Sequence, residues 1–555
     1  MTGDHQPAAE AGPTDPSRLL CEPYLLDPGP ESGYVVWHTE DPGNGHFVLV
    51  GPGVTGMTDW QAVDAATDDA ATGPGWRRFT AQTRQLSRTR EDAESRVAGR
   101  AWTGPVGRPV YRQLAEITGL AAGRTPYRVV SVDDQGRPTV TTAYSIAPAV
   151  SGDRPVRLLL TSDHQLKAMT AANLAKVAET VGVHLDGVLM AGDMVNVADR
   201  ASDWFDCADA PAFFAAMTGR AATTIAGRTW RGAELLQHTP LYPAIGNHEV
   251  MGRWSETASL DSQFNDPQPA DWDVTTYEEL FPRPRSEAGG PRWWSRTIGD
   301  VHLITLFVTG IWRPHVTTGA GTFAEGPAVL ADPEHWGHGR FIFEPVHRGS
   351  AQYRWLEREL ASEAARSARF RVVMFHHSSH GLGDNSTPAF TDPVQVVERD
   401  PDTGTVSSVR YAYPLAEDHV LRDLEPLLSA NGVHLVHTGH THLWNRFRNP
   451  AGVNWLETSN VGNSYGAYDV TSGLSRPLPE GPDLVRQGDP GGLRPVVPTI
   501  APLTDPTGAP LPYVASNDVT VFSVLDSAAG VVRSYRFDTR EPDSSVLLFD
   551  EFPLA

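Results

Sequence analysis

The sequence predicts an α/β fold preceded by an all-β region, and three observations predict it. From about Val156 onward, apolar runs of strand length alternate with stretches of helical spacing. Five of those runs stop on Asp, Asn or His. They are Leu158-Leu-Leu-Thr-Ser-Asp-His-Gln165, Ala191-Gly-Asp193, Ile245-Gly-Asn-His-Glu249, Val372-Val-Met-Phe-His376 and Leu435-Val-His-Thr-Gly-His-Thr-His442. Between residues 21 and 150, short apolar runs are separated by turn clusters, the rhythm of a β-sandwich.

The elements follow in order. Residues 1–20 are polar and rich in Ala, Pro and Asp, and read as a disordered N-terminus. Residues 21–150 read as one β-sandwich domain with an insertion. Tyr34-Val-Val-Trp37 and Phe47-Val-Leu-Val50 flank Asp41-Pro-Gly-Asn-Gly45, a hairpin-like turn. Residues 55–105 break the rhythm with polar, partly helical sequence. Alternation returns at Tyr111–Leu120, Tyr127–Val132 and Thr139–Ile146. Pro148–Arg154 reads as a linker, and residues 151–555 form the second domain. Ala168–Val181 has helical spacing, and Asp186–Met190 is the next strand. Further strands precede Gly246 and run at 301–308, 370–375 and 433–438, with helices near 209–217, 350–365 and 417–429. The tail alternates at Val519–Val524, Val531–Phe537 and Ser545–Phe549. Long loops at 196–238, 250–292, 310–348 and 378–415 carry Trp254, Trp272, Trp312 and Trp336. Such loops often serve as lids, though packing within the loops is the simpler reading of these tryptophans.

Composition narrows the function. The chain has 555 residues and a net charge of -22, which disfavours nonspecific binding to a nucleic-acid backbone. A small anionic substrate stays open, because bound cations would set the local field. No basic start is followed by an apolar run, and no stretch of about 20 apolar residues exists. A cytoplasmic enzyme with no membrane partner is the expectation. Cys21 and Cys207 are too few for a disulfide framework and read as inert thiols. Lys167 and Lys176 are the only lysines, which reads as compositional bias rather than function.

Strands that end at one edge of a sheet deliver their last side chains to one place. A single Asp after a strand is usually a cap, and a lone His is usually surface or core. Five such endings with metal-ligand residue types read as one binuclear metal centre. The ordered set resembles the calcineurin-like metallophosphoesterase superfamily. That family's pattern is Asp-x-His, Gly-Asp, Gly-Asn-His-Asp/Glu, a strand-end His and Gly-His-x-His. Asp163, Gly192-Asp193, Gly246-Asn247-His248-Glu249, His376 and Gly439-His440-Thr441-His442 match it in order.

The resemblance implies a four-layer αββα sandwich with metals at the sheet edge. It implies two divalent ions, Mn, Zn or Fe, that clamp a phosphoester and activate a shared water. It assigns Asp193 as the bridge, Asp163 and His442 to the first ion, and Asn247, His376 and His440 to the second. It makes His248 catalytic, with Glu249 as its orienter. His377 and His380 read as substrate-facing or plain loop residues. Alternation along an extended segment lets His440 and His442 each reach one metal. The run Ile117–Tyr127 is similar to the fibronectin type III-like domain that precedes the catalytic domain in purple acid phosphatases. The implied activity is hydrolysis of a small phosphoester, monoester or diester. The alternative is a scaffold of the same fold that has lost turnover.

Two departures from the family pattern stand out. Gln165 stands where most of the superfamily has His, and by strand alternation it shares the face of Asp163. Its amide is a weaker ligand than an imidazole. Asn196 stands where purple acid phosphatases carry an iron-binding Tyr, so the resemblance does not extend to a tyrosinate–iron centre. Gly462-Asn-Ser-Tyr-Gly466 matches a Gly-x-Ser-x-Gly nucleophile elbow, but no helical pattern follows and no His follows His442.

Overall fold

The computed structural model describes residues 19–68, 70–265, 270–312, 324–337, 340–383, 389–462, 464–476 and 485–554. Two large sheets dominate. The first has ten strands. Its middle is four parallel strands, in the order Arg157–Thr161, Gly187–Met190, Pro240–Pro243 and Cys21–Gly29. The tail strands Val519–Asp526, Val531–Asp538 and Leu547–Pro553 extend it antiparallel on one side. The second sheet has seven strands. Val301–Thr305, Phe370–His377, Leu435–Gly439 and Asn454–Thr458 run parallel within it.

Side-chain alternation decides how the sheets stack. Leu158, Leu160 and Leu189 of the first sheet share one buried cluster with Leu303, Val372, Met374, Leu435 and Leu456 of the second. The intervening Leu159, Val188, Ile304, Val373 and Val436 belong to another cluster. That cluster includes Leu174 and Val177 of the helix Thr170–Val181, and Leu356 and Leu360 of the helix Ala351–Leu360. Strands buried on both faces read as continuous apolar runs, which is how the motif strands look in sequence. The expected helix near 209–217 is shorter, Phe213–Met217. That near 417–429 is a π turn, Val420–Leu424, running into Glu425–Ala430. No helix among the described residues is long and apolar enough to cross a membrane. Of the expected disordered terminus, residues 1–18 lie outside the described residues.

The expected hairpin around Asp41–Gly45 does not form. Ser32–Thr39 pairs with Cys21–Gly29 and Tyr111–Thr118 in the first sheet. Gly45–Val50 pairs with Thr125–Val132 and Trp76–Thr80 in a separate six-stranded sheet. The reason is packing. Val35 and Trp37 from one strand and Val48 and Val50 from the other share one buried cluster. The strands stack, each gains its ladder bonds elsewhere, and the turn carries the chain between layers. The parallel pairing of Cys21–Gly29 with Pro240–Pro243 also makes residues 21–150 share a sheet with the rest of the chain.

Two of the loop tryptophans pack against residues outside their own loops, and one within its loop. Trp254 lies under the Arg88 and Arg90 guanidiniums, 4.7 and 4.3 Å from its ring. Trp272 packs on Phe307 and Phe343, and Trp336 donates to the Val329 carbonyl. The side chain of Trp312 lies outside the described part.

One buried ion pair ties the two large sheets together. Arg446 Nε donates to Asp550 Oδ2 at 3.0 Å and its Nη2 to Oδ1 at 3.2 Å. Arg446 is on the second sheet and Asp550 on the first. Asp550→Ala would strand a buried guanidinium. It should cost about 3–5 kcal/mol, read as a lowered denaturant midpoint, with metal content per folded chain unchanged.

Candidate metal centre

Four of the five motif strands stop short of their functional residues, and only Phe370–His377 contains its own. Arg157–Thr161 ends before Asp163, and Leu435–Gly439 ends before His440. Beyond those ends the backbone turns left-handed at Asp163 (φ 55), Gln165 (φ 39), Asp193 (φ 54), His440 (φ 89) and His442 (φ 60). Among the described residues eight non-glycine positions have positive φ, and these are five of them. Extended alternation therefore places neither the Asp163/Gln165 pair nor the His440/His442 pair. Left-handed turns place them, at a conformational cost of about 1–3 kcal/mol each that the surroundings must offset.

The offsetting bonds are visible. The Asp163 N–H donates to the Gly192 carbonyl at 3.1 Å, and the Gln165 N–H to that of Met194 at 3.2 Å. The His440 N–H donates to the Asp163 carboxylate at 3.0 Å, and the His248 N–H to Asp193 Oδ1 at 3.0 Å. The motif glycines make this approach possible. A Cβ on Gly246 would lie 2.1 Å from Asp193 Oδ1, and one on Gly439 2.4 Å from Asp163 Oδ2. One on Gly192 would lie 2.9 Å from His376 Nδ1.

Two groups of potential ligands result. Asp163, Asp193 and His442 form one, and His376, His377 and His440 the other. Within each group the ligating atoms lie within 4.8 Å of one another. His376 joins them, its Nε2 3.1 Å from Asp193 Oδ2 and 3.2 Å from Asn247 Oδ1. Its Nδ1–H donates to the Ala191 carbonyl at 2.8 Å, which leaves Nε2 aimed at the centre. His377 arrives by a β-bulge. A register shift between Met374 and His377 breaks the alternation that would send neighbouring histidines to opposite faces. Its ring lies 3.6 Å from that of His440, and its Nδ1 2.7 Å from Thr309 Oγ1.

The electrostatics suit a cation. Burial alone would raise the Asp163 and Asp193 carboxyls, but the neighbouring imidazoles win. Asp163 is lowered to about 2 beside His442 and His376, and Asp193 lies well below its usual range beside His376 and His248. Burial opposes charging His376, yet Asp193 holds it up at about 9. Buried carboxylates and imidazoles without a nearby thiol are the donor set of Mn, Zn or Fe, so the residues fit divalent ions. Gln165 fits less well. Its Nε2 donates to Asp193 Oδ2 at 3.2 Å, so it presents an N–H rather than an oxygen.

Two expectations are corrected. Glu249 does not orient His248. It accepts from the backbone N–H groups of Asp193 (2.9 Å), Met194 (2.8 Å) and Gly246 (2.7 Å), which locks two motif turns together. The carbonyl of Asn196, 2.8 Å from Nδ1, holds His248. His380 is neither substrate-facing nor a plain loop residue. It is buried between Asp489 (3.0 Å) and Glu425 (3.3 Å).

The sequence reading missed other neighbours. Glu457 accepts from Thr441 N (2.7 Å), Thr441 Oγ1 (2.6 Å) and Asn445 Nδ2 (2.9 Å), fixing the residue between His440 and His442. Gly462–Gly466 opens no helix among its described residues. Instead the Tyr465 ring stacks on His442 at 4.9 Å. Asn463 lies outside the described residues.

The sequence model for calcineurin-like phosphoesterases matches residues 156–443. The chain belongs to the calcineurin-like phosphoesterase family. Among solved structures it is similar to purple acid phosphatase PPD1 from yellow lupin (Lupinus luteus) seeds. That match has 14% identity and a TM-score of 0.52, covering 96% of this chain and 73% of that one. A structure of PhoD matches at 12% identity and a TM-score of 0.42, covering 97% of this chain and 93% of that one. Comparison with curated proteins found no match. At these identities the likeness is one of fold. Membership of the phosphoesterase family implies divalent metal ions, in keeping with the two ligand groups.

Gly439→Ala should cost the protein its metal while leaving it folded, because the added methyl displaces Asp163 rather than core. Metal analysis beside circular dichroism reads both. Gln165→His should slow metal loss under mild chelation. Equal rates of loss would remove Gln165 from the centre.

Proposed function

We propose that this phosphoesterase is a metal-dependent hydrolase of small phosphoesters, a phosphatase or phosphodiesterase, working at a binuclear centre. The observation that carries the reading is the convergence of Asp163, Asp193 and His442 with His376 and His440 at the ends of parallel strands. Bound there, two divalent ions supply a Lewis acid for the phosphate oxygens and a deprotonated water near neutral pH. Asp193 belongs to one group and lies 3.1 Å from His376 of the other, so it would be the shared ligand. Asp163 and His442 would hold the first ion, and Asn247, His376 and His440 the second. Gln165 joins the first only if its amide turns over. Manganese, zinc and ferrous iron all suit the set, and Asn196 offers no phenolate for a tyrosinate–iron centre.

His248 is the residue that acts on the leaving group. Its Nδ1–H donates to the Asn196 carbonyl, and its Nε2 lies 4.0 Å from Asp193 Oδ2. Its side chain is 23% exposed, whereas Asp193 beside it is 2% exposed. His248 thus stands where substrate enters. Protonated at Nε2, it can donate to a departing alkoxide. We read residues 21–150 as a fibronectin type III-like sandwich. A small substrate agrees with the net charge of -22. The second reading, a metal-holding scaffold without turnover, is favoured by the Gln165 orientation alone.

Assays of the metal-reconstituted protein on aryl phosphate monoesters and diesters test the function. Two bound metals without turnover on either would favour the scaffold. Asp193→Asn should abolish activity and lower metal content, because a neutral amide bridges two cations poorly. His248→Ala should damage alkyl ester hydrolysis by about 10²–10⁴-fold and activated aryl esters far less, with metal content unchanged. A nitrophenolate leaves without a proton and an alkoxide does not. Equal damage to both would reject the acid role.

A further inference from the structure

Two glycines bracket Tyr465. Gly462 (φ 144) and Gly466 (φ 109) hold backbone angles that L side chains rarely adopt, so the chain changes direction on either side of it. The segment is anchored at both ends. The Ser464 N–H donates to Asn517 Oδ1 at 3.0 Å, and the Tyr468 N–H to the Leu382 carbonyl at 2.7 Å. Ala467 bridges to Gly383, where a Cβ would lie 2.2 Å from the Cβ of Thr441, the residue between His440 and His442. Tyr465 is therefore built against the candidate metal centre. Its ring lies 4.9 Å from that of His442 with the planes 25° apart, so His442 covers one face. Yet Tyr465 is 53% exposed, while His442 is buried. Leu474, 46% exposed, continues the surface, because a Cβ on Gly466 would lie 3.2 Å from Leu474 Cδ1. Leu474 is itself fixed. Its N–H donates to Ser472 Oγ at 3.1 Å, and its carbonyl accepts from Gln487 Nε2 at 2.9 Å. Single exposed apolar side chains are ordinary, but an anchored aromatic ring joined to a leucine over a buried candidate ligand is not.

We infer that Tyr465 and Leu474 form a subsite for a flat aromatic group carried by the phosphoester, stacked on the exposed part of the Tyr465 ring. The inference rests on the phosphoesterase reading above and deepens it to a substrate class. With the phosphoryl group at the centre, a surface beside His442 meets what the phosphorus carries. Inorganic phosphate or a polyol ester gains nothing there, since neither has apolar area to bury. An aromatic ring gains that burial and an offset stack on Tyr465. The surface on offer is the plane of the Tyr465 ring, so it favours a flat group over a puckered one of the same size. Stacking does not use the phenol hydroxyl, so a phenylalanine would serve as well.

Phosphonates test this without the reaction, because their phosphorus–carbon bond is not hydrolysed and no leaving group enters the comparison. Phenylphosphonate, cyclohexylphosphonate and methylphosphonate are titrated calorimetrically into the Mn(II)-loaded full chain. Wild type should bind phenylphosphonate about tenfold more tightly than methylphosphonate, with cyclohexylphosphonate weaker than the phenyl compound. Tyr465→Ala should bring the phenyl compound to the level of the methyl one. Leu474→Ser should lose part of the preference, and Tyr465→Phe should keep it. A mere prop for His442 would give a different pattern. Tyr465→Ala would then weaken all three compounds alike and lower the bound metal, and that result would overturn the inference. Equal binding of phenyl and methyl compounds by wild type, or a preference that survives Tyr465→Ala, would overturn it and spare the phosphoesterase reading. Cyclohexylphosphonate bound as tightly as phenylphosphonate would do the same. Wild type that takes up no Mn(II), or that with metal bound takes none of the phosphonates and no inorganic phosphate, would overturn both.

Discussion

The centre is built around one carboxylate that must be reached from every side. Asp193 accepts the His248 N–H at Oδ1, and Oδ2 faces His376 and Gln165. Its own N–H is tied to Glu249. Contacts from three motifs on a single side chain leave no volume for anything else, which is why Gly192 and Gly246 carry no Cβ. The left-handed turn at Asp193 follows from the same demand, since an extended residue would send the side chain to a face of the sheet rather than across its edge. Two sheets buried on both faces supply the rigidity that holds the turn against its strain.

This explains which parts of the molecule the sequence revealed. The motif strands were legible because burial on both faces makes them continuous apolar runs, and because their last residues are chemically unusual for such runs. The candidate ligands Asp163, Asp193, His376, His440 and His442, which the structure brings together, stood out for the same reason. Their geometry did not. Alternation describes extended backbone, and the turns that place these side chains, His376 apart, lie past the strand ends. The bulge that turns His377 inward is likewise a property of pairing, not of local sequence. The 34–50 hairpin misled because strands that stack and strands that pair share one pattern, and only the partner's identity separates them.

Buried polar groups outside the ligand set show a second kind of illegibility. Glu249 reads as an orienter beside His248, but its carboxyl caps three backbone N–H groups. Burial and Asp193 push it up to about 8. Glu457, pushed up to about 7 by burial, does the same for the turn between His440 and His442. Each satisfies backbone donors that the left-handed turns withdraw from the ladders. Such residues look like ordinary surface acids in sequence, because their partners are main-chain atoms that every residue has. The candidate ligands and the fold's own hydrogen bonding are thus one network, and a metal held there would be coupled to local stability through it.

The same logic gives the N-terminal region a part in the chemistry. Arg88 donates to Asp199 Oδ2 at 2.9 Å, and Asp199 Oδ1 accepts from Thr276 at 2.7 Å. Arg90 donates to the Ser255 carbonyl and to Gln263, and Asp92 accepts the Leu260 N–H at 2.9 Å. These bonds fix the segment 250–265 from a part of the chain more than a hundred residues earlier. Phe264, in that segment, lies 4.9 Å from the His248 ring. Residues 86–92 therefore help to build the wall behind His248, which is partly exposed. The shared strand pairing at Cys21–Gly29 makes that contact permanent rather than a docking between separate bodies. A phosphoesterase fold that began at the expected domain boundary would keep Phe264 and lose the bonds from residues 88–92 that fix its segment.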